Sequence, residues 1–258
     1  MTLEASNRQL ASLALSLLDL TDLNDDCTPE AIEALCAKAR TPHGPVAAIC
    51  IWPRFVRQAR GILGPSSPVH IATVVNFPSG ELRIEEVVAE TTGAIADGAD
   101  EIDLVIPYRA LMAGDEQAVR DMIRAVRTAC GETVLLKTIL ETGELKERGL
   151  IRNASHLAIQ EGADFIKTST GKVAVNATLE AADIMLTAIR ESGRHVGFKP
   201  AGGVKTVADA RLYLTLAATI HGPDWLMPST FRFGASGLLA DILSVIEGRE
   251  SLAAPAAY

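Results

Sequence analysis

The chain has 258 residues, 48% of them hydrophobic and 22% charged, with a formal net charge of −8. These are the proportions of a soluble globular protein with a large core, and the negative balance argues against nucleic acid or an anionic membrane as partner. Aromatic residues make up only 4%, so the core must rest on Ala, Val, Ile and Leu, which suits strands covered by helices.

Leucines at helical spacing predict a helix over residues 7–18, after which Asp19-Leu20-Thr21 breaks the pattern. Thr28-Pro29-Glu30 opens a second helix, with Thr28 as N-cap, Pro29 at the first helical position, and Glu30 and Glu33 in the early turns. It ends near Thr41-Pro42-His43-Gly44. Residues 46–51, an apolar run between Pro45 and Pro53, read as a strand. A helix around 55–63 leads to a strand over 71–75, closed by the loop Asn76-Phe77-Pro78-Ser79-Gly80. A helix over 83–97, ended by Gly98, precedes a strand over 101–106; a helix over 116–130 precedes a strand over 134–139. A helix over 146–161, ended by Gly162, precedes a strand over 164–168. Helices over 179–192 and 207–220 then flank a strand over 195–199, and a last strand over 231–234 leads to a helix from Leu238.

Strand ends recur at intervals of about 24 to 35 residues, the length of a βα unit. That gives seven strands, and the segment around residues 17–21 is the candidate for the eighth. The expected fold is a single-domain α/β parallel (β/α)8 TIM barrel over residues 1–252 with an N-terminal helix, followed by an Ala/Pro tail at 253–258. An open doubly wound sheet is the alternative, but the first βα turn has no G-x-G-x-x-G. The cysteines Cys27, Cys36, Cys50 and Cys130 form no C-x-x-C pair, which favours free thiols over a zinc site or a disulfide framework. There is no secretory signal at the N-terminus and no apolar run long enough to span a membrane, so a cytoplasmic protein is expected.

Barrel strands alternate between a helix-facing outside and a filled inside. In EIDLVI, Ile102, Leu104 and Ile106 suit the outside and leave Asp103 inside. In VLLKTI the inward charge is Lys137; Phe165 and Lys167 share one parity; in HVGFK, Gly197 and Lys199 face in. A lone inward lysine is commonly a structural ion pair or snorkels to water. Three lysines around one aspartate at the catalytic end of a barrel point to chemistry instead. A cation beside a lysine lowers its pKa and frees the amine to attack a carbonyl, and a carboxylate in the same cavity can shuttle protons. Spacing does not choose the nucleophile among Lys137, Lys167 and Lys199. The loops after these strands carry Ser169-Thr170-Gly171-Lys172, Gly202-Gly203-Val204-Lys205 and Gly234-Ala235-Ser236-Gly237. Paired glycines let backbone N–H groups converge on an anion, and the loops after strands 7 and 8 commonly hold a phosphate.

Lysines inside a phosphate-binding barrel suggest a metal-free Schiff-base aldolase. The strings NDD from Asn24, EIDLVIPYRALMAG from Glu101, LLKTILETGEL from Leu135, ADFIKTSTGKVAVNAT from Ala163, GFKPAGGV from Gly197 and RFGAS from Arg232 resemble the deoxyribose-phosphate aldolase family over nearly the whole chain. The resemblance implies that Lys167 forms the Schiff base, Lys199 tunes it, Asp103 relays protons and Lys137 supports Asp103. It places Thr170, Gly171, Lys172, Gly202, Gly203, Val204, Lys205, Gly234 and Ser236 at substrate or phosphate positions, and Asp19, Thr21 and Cys50 at the pocket mouth or wall. Tyr258 resembles a terminal tyrosine that reaches the active site in some members. Lys205 stands where some members have arginine, Gly237 where similar sequences have serine, and residues 223–230 follow the family poorly.

The implied reaction is reversible cleavage of 2-deoxy-D-ribose 5-phosphate to D-glyceraldehyde 3-phosphate and acetaldehyde, in deoxynucleoside catabolism. No cofactor and no metal is implied, the partners are a phosphosugar and aldehydes, and a homodimer is the default assembly. A phosphosugar isomerase or epimerase on the same barrel, or a non-catalytic sugar-phosphate sensor, is the alternative.

Overall fold

The computed structural model of the chain describes residues 6–249. Ser6 accepts from the backbone of Gln9, whose side chain returns to Ser6 N, and this capping box starts α1 (Asn7–Ser16). The helix ends sooner than its leucines suggest, and Leu18–Asp22 forms strand β1. From Leu18 the pattern has period two: Leu18 and Leu20 join the outer core while Asp19 turns inward, which overrides the helical spacing. Thr28 caps α2 (Pro29–Lys38) through Ala31 N, as its position implies. The helix stops at Lys38, short of the expected end near residues 41–44, and Arg40–Thr41 and Gly44–Pro45 pair as a short antiparallel hairpin.

The remaining strands are β2 (Ala48–Ile51), β3 (His70–Val75), β4 (Glu101–Val105), β5 (Leu135–Ile139), β6 (Phe165–Lys167), β7 (Gly197–Lys199) and β8 (Phe233–Ala235). The long helices between them are α3 (Val56–Leu63), α4 (Ile84–Ala96), α6 (Glu116–Cys130), α8 (Arg148–Gln160), α9 (Leu179–Ser192) and α10 (Val207–His221), with α11 (Leu238–Ile246) last. Two short helices, α5 (Tyr108–Met112) and α7 (Thr142–Leu145), sit inside βα connections and were not foreseen. They are too short to carry a readable apolar period.

All eight barrel strands are parallel, in the order β8-β1-β2-β3-β4-β5-β6-β7. Parallel bridges Phe198–Phe231 and Ala201–Gly234 join β7 to the segment carrying β8 and close the barrel. The last strand begins at Phe233, later than the expected Phe231, although Phe231 still takes part in closure.

The apolar core lies outside the barrel wall. Ile49, Ile71, Ile102, Leu104, Leu136, Ile166 and Phe198 are fully buried in the cluster shared with the helices, each contributing roughly 1.5–3 kcal/mol by burial. Inside, the wall divides into two halves. Leu23, Ala48, Cys50, Ala72 and Val74 form a separate small apolar patch, and the other side carries charges. Gly197 is inward on β7, and a Cβ there would overlap the Phe165 ring. Its absence lets Phe165 lie across the interior, with the Arg232 guanidinium 5.8 Å from its centroid. Among the described residues no helix is long and apolar enough to cross a membrane.

Candidate active site

Strand register brings the expected residues together. Asp103 is opposite Lys137 across β4 and β5, and Lys167 is opposite Lys199 across β6 and β7. All four side chains turn inward, with Asp103, Lys137 and Lys199 fully buried and Lys167 3% exposed. They converge on one carboxylate: Asp103 Oδ2 accepts from Lys167 Nζ at 2.7 Å and Lys199 Nζ at 2.8 Å, and Oδ1 from Lys137 Nζ at 2.9 Å. Cys50 Sγ lies 3.9 Å from Oδ2.

The charge cluster runs deeper than one residue per strand. β4 contributes two inward carboxylates, Glu101 and Asp103, and Lys137 Nζ is 2.5 Å from Glu101 Oε2. Arg232, just before β8, bridges Glu101 Oε1 at 2.8 Å and Asp19 Oδ1 at 2.6 Å. Asp19 Oδ2 in turn accepts from Lys199 Nζ at 2.6 Å. Asp19 and Cys50 therefore sit fully buried beneath the cavity, not on its mouth or wall. Glu101 and Arg232 escaped the sequence reading. Glu101 shares the parity of Asp103, so period two was its available signal, whereas Arg232 precedes a strand of three residues.

Burial alone would push the Asp103 carboxyl up, but Lys137, Lys167 and Lys199 overcome it and hold it well below the usual carboxylate range. Burial likewise pulls Lys199 down, yet Asp103 and Asp19 outweigh it, so its net shift is upward and it is a fixed cation. Lys137 is raised for the same reason by Asp103 and Glu101. The Cys50 thiol is pushed up by burial and by Asp103, which keeps it protonated.

Lys167 is also on the floor of an open cavity of about 730 Å³ at the C-terminal end of the barrel. Thr21, Thr170, Gly171 and Lys172 line one part of it. Gly202, Gly203, Val204, Lys205, Gly234 and Ser236 line another, so all the expected loop residues meet here. Gly234 makes room in its own way: a Cβ there would come within 2.9 Å of Ala201 Cβ and 3.1 Å of Lys199 Cε. Tyr258 lies outside the described residues.

Two features organise the loops. Glu141, in a left-handed conformation at φ 57°, accepts from Thr170 N at 3.2 Å and from the Thr170 hydroxyl at 2.6 Å. Thr170 Oγ1 then accepts from Lys172 N at 3.0 Å. Burial raises the Glu141 carboxyl above its ordinary value against these bonds. At the other end, Gly202 and Gly203 have φ of 79° and 88°, a region that favours glycine. Among the described residues the N–H groups of Gly203 and Val204 donate to no protein acceptor, leaving them for a ligand. Asp209 and Asp241, both unforeseen, also line this end. Asp209 accepts from the N–H groups of Lys205 and Thr206, and Asp241 from Val207 N at 2.7 Å. Their charge is thus directed into the first turn of α10, and the N-terminus of α11 faces the same cavity through Ser236 and Gly237.

An amine on the floor of a polar cavity, at the C-terminal end of a (β/α)8 barrel and beside open backbone N–H groups, is an arrangement suited to a barrel enzyme that works on an anionic carbonyl compound. The chain belongs to the DeoC/LacD family of aldolases, whose family model matches residues 13–240; it is a lyase. It is 66% identical to the deoxyribose-phosphate aldolase of Agrobacterium fabrum, across the full length of both chains. A candidate deoxyribose-phosphate aldolase from Toxoplasma gondii ME49, known from a crystal structure, superposes with a TM-score of 0.87 at 28% identity, covering 95% of this chain and 97% of that one. The fold alone is shared with the deoxyribose phosphate aldolase of Aeropyrum pernix, at 22% identity, TM-score 0.74 and 93% coverage of each chain.

Proposed function

We propose that the protein cleaves 2-deoxy-D-ribose 5-phosphate reversibly to D-glyceraldehyde 3-phosphate and acetaldehyde through a Schiff base on Lys167. The observation that carries this reading is the position of Lys167: of the three lysines on Asp103, it alone also lines the open cavity. Lys137 and Lys199 are fully buried and committed to carboxylates.

The free amine of Lys167 attacks C1 of the open-chain sugar, and the carbinolamine hydroxyl takes a proton from solvent and leaves as water, giving an iminium; that proton returns to solvent when the last iminium is hydrolysed. Asp103, through a water, takes the proton of the C3 hydroxyl. The C2–C3 bond breaks, its electron pair moves toward the iminium to form an enamine, and C3 becomes the aldehyde carbon of glyceraldehyde 3-phosphate. Protonation of the enamine at C2 and hydrolysis of the resulting iminium release acetaldehyde and restore the amine. Asp103 is a weak base in the resting cluster because three amines donate to it. The iminium charge beside it is cancelled as the C2–C3 electron pair forms the enamine, so the carboxylate gains basicity at the step that needs it. Lys199 and Lys137 hold Asp103 in place and remain cationic, while the Gly202–Lys205 and Gly234–Gly237 loops take the phosphate. In this reading the enzyme acts in deoxynucleoside catabolism.

Borohydride reduction in the presence of substrate, followed by peptide mapping, tests the reading. An adduct on Lys167 is expected. Its absence, with turnover intact, would favour a phosphosugar isomerase or epimerase; binding without turnover would favour a sensor.

A further inference from the structure

Below Asp103 the barrel interior does not return to apolar packing. A continuous line of polar contacts leads from the reacting amine to the opposite face. Lys167 Nζ meets Asp103 Oδ2 at 2.7 Å, Asp103 Oδ1 meets Lys137 Nζ at 2.9 Å, Lys137 Nζ meets Glu101 Oε2 at 2.5 Å, and Glu101 Oε1 meets His70 Nδ1 at 2.8 Å. The three middle groups are fully buried, whereas the His70 side chain is 48% exposed. His70 begins β3 and lines a second cavity of about 310 Å³, at the N-terminal end of the barrel.

We propose that Glu101 is a positioning residue for the reaction and that the charge on His70 sets how firmly Glu101 holds Lys137. The proposal rests on the Schiff-base aldolase reading above. Buried ion pairs seldom stabilise a fold more than apolar packing of equal volume, so a charged column through a barrel calls for another role. Glu101 divides two oxygens among three partners: Oε1 serves His70 and Arg232 Nη2, and Oε2 serves Lys137 and Arg232 Nη1. A cationic His70 draws the Glu101 charge toward the N-terminal face. Lys137 then leans on Asp103 Oδ1 and makes Asp103 a poorer base. A neutral His70 leaves Glu101 to Lys137 and frees Asp103.

The groups facing His70 are Glu101 and Asp100 at the start of β4, Arg232 before β8, and His43 from the hairpin across the cavity. Asp100 is occupied by Arg60 at 2.5 Å and by Ile71 N at 2.7 Å. The hydrogen bond that His70 donates to Glu101 raises its pKa above the ordinary histidine value, against burial. The proton is therefore held below that raised value and lost as pH rises through it, so kcat is lower on the acid side.

The test is kcat and KM for 2-deoxyribose 5-phosphate cleavage by the full chain from about pH 5.5 to about pH 8.5, the range in which histidine titrates. Wild type is compared with His70→Gln, uncharged throughout, and His70→Arg, charged throughout. Wild-type kcat is expected to rise about threefold across the His70 transition, a coupling of ordinary size for residues along a contact network. His70→Gln should stay at the upper limit and His70→Arg at the lower, with KM unchanged because position 70 does not line the cavity that holds Lys167. A purely structural role would shift thermal stability and leave the three profiles parallel, which overturns the proposal. Glu101→Asp, which withdraws the carboxylate from Lys137, should lower kcat at unchanged KM, and wild-type kcat in that variant overturns the proposal independently. A wild-type protein without turnover overturns the aldolase reading itself, and this role with it.

Discussion

Replacing Asp103 with asparagine separates the chemistry of the site from its stability. The substitution keeps the shape and removes the charge onto which three amines converge at 2.7, 2.8 and 2.9 Å. Lys137 retains Glu101, and Lys199 retains Asp19, so the stranded group is Lys167. Breaking a buried pair by removing one partner costs about 3–5 kcal/mol. The lower end applies here because two of the three lysines keep a carboxylate. A chain of this length loses about 2–4 °C of Tm per kcal/mol, so a fall of roughly 6–12 °C is expected in a thermal scan. The loss depends on pH in a defined direction. The Asp103 carboxyl is held well below the ordinary range in the folded chain, so its contribution is fully present above the unfolded value of about 3.9 and disappears as pH falls through the folded one. Denaturant titrations should show a constant gap between wild type and Asp103→Asn from neutral pH to about pH 4, closing below it. In a steady-state cleavage assay kcat should fall by about 10²–10⁴, the usual share of a proton-transferring side chain. A variant within tenfold of wild-type kcat and equal to it in stability would refute both the relay role and the electrostatic account of the cluster.

Gly197→Ala forces a methyl group into the Phe165 ring; overpacking of this kind costs about 1–3 kcal/mol, read as a lower urea midpoint with unchanged slope. Lys205→Ala removes an exposed cation from the glycine-loop end of the cavity. KM for 2-deoxyribose 5-phosphate should rise about tenfold, as for loss of one charged hydrogen bond, while the unphosphorylated sugar is unaffected. An equal loss for both sugars would remove Lys205 from phosphate binding.

The parts of the site that follow strand parity were legible in the sequence. Asp103, Lys137, Lys167 and Lys199 each occupy an inward position of a strand whose outward residues are apolar, and they meet where period two places them. The loops were legible because glycine pairs recur at strand ends. What escaped was long-range or positional. β1 was obscured because Leu10, Leu13, Leu17 and Leu20 also fit a helix, and only sheet pairing distinguishes the two readings. Glu101 opens its strand, where a charge reads as solvent-facing, and Arg232 precedes a strand of three residues, too short to set a parity. Asp241 ties α11 to the start of α10 across 34 residues of chain, a contact without a local signature. Thr206 and Asp209 form a capping box that could have been read directly. Glu141 adopts a left-handed backbone with no glycine to announce it.

The division of the barrel interior into an ionic half and an apolar half bears on how such a protein can change over time. The residues that hold the wall together, among them Ile71, Ile102, Leu136 and Ile166, face the helices, and the residues proposed to do chemistry face the axis. The two sets are separated by the thickness of one strand. Selection for robustness can therefore act on the outer set with little effect on turnover. Exchanging the axial charges for well-packed apolar side chains would produce a barrel at least as stable and catalytically silent. In that sense the axial charges mark where stability has been exchanged for activity.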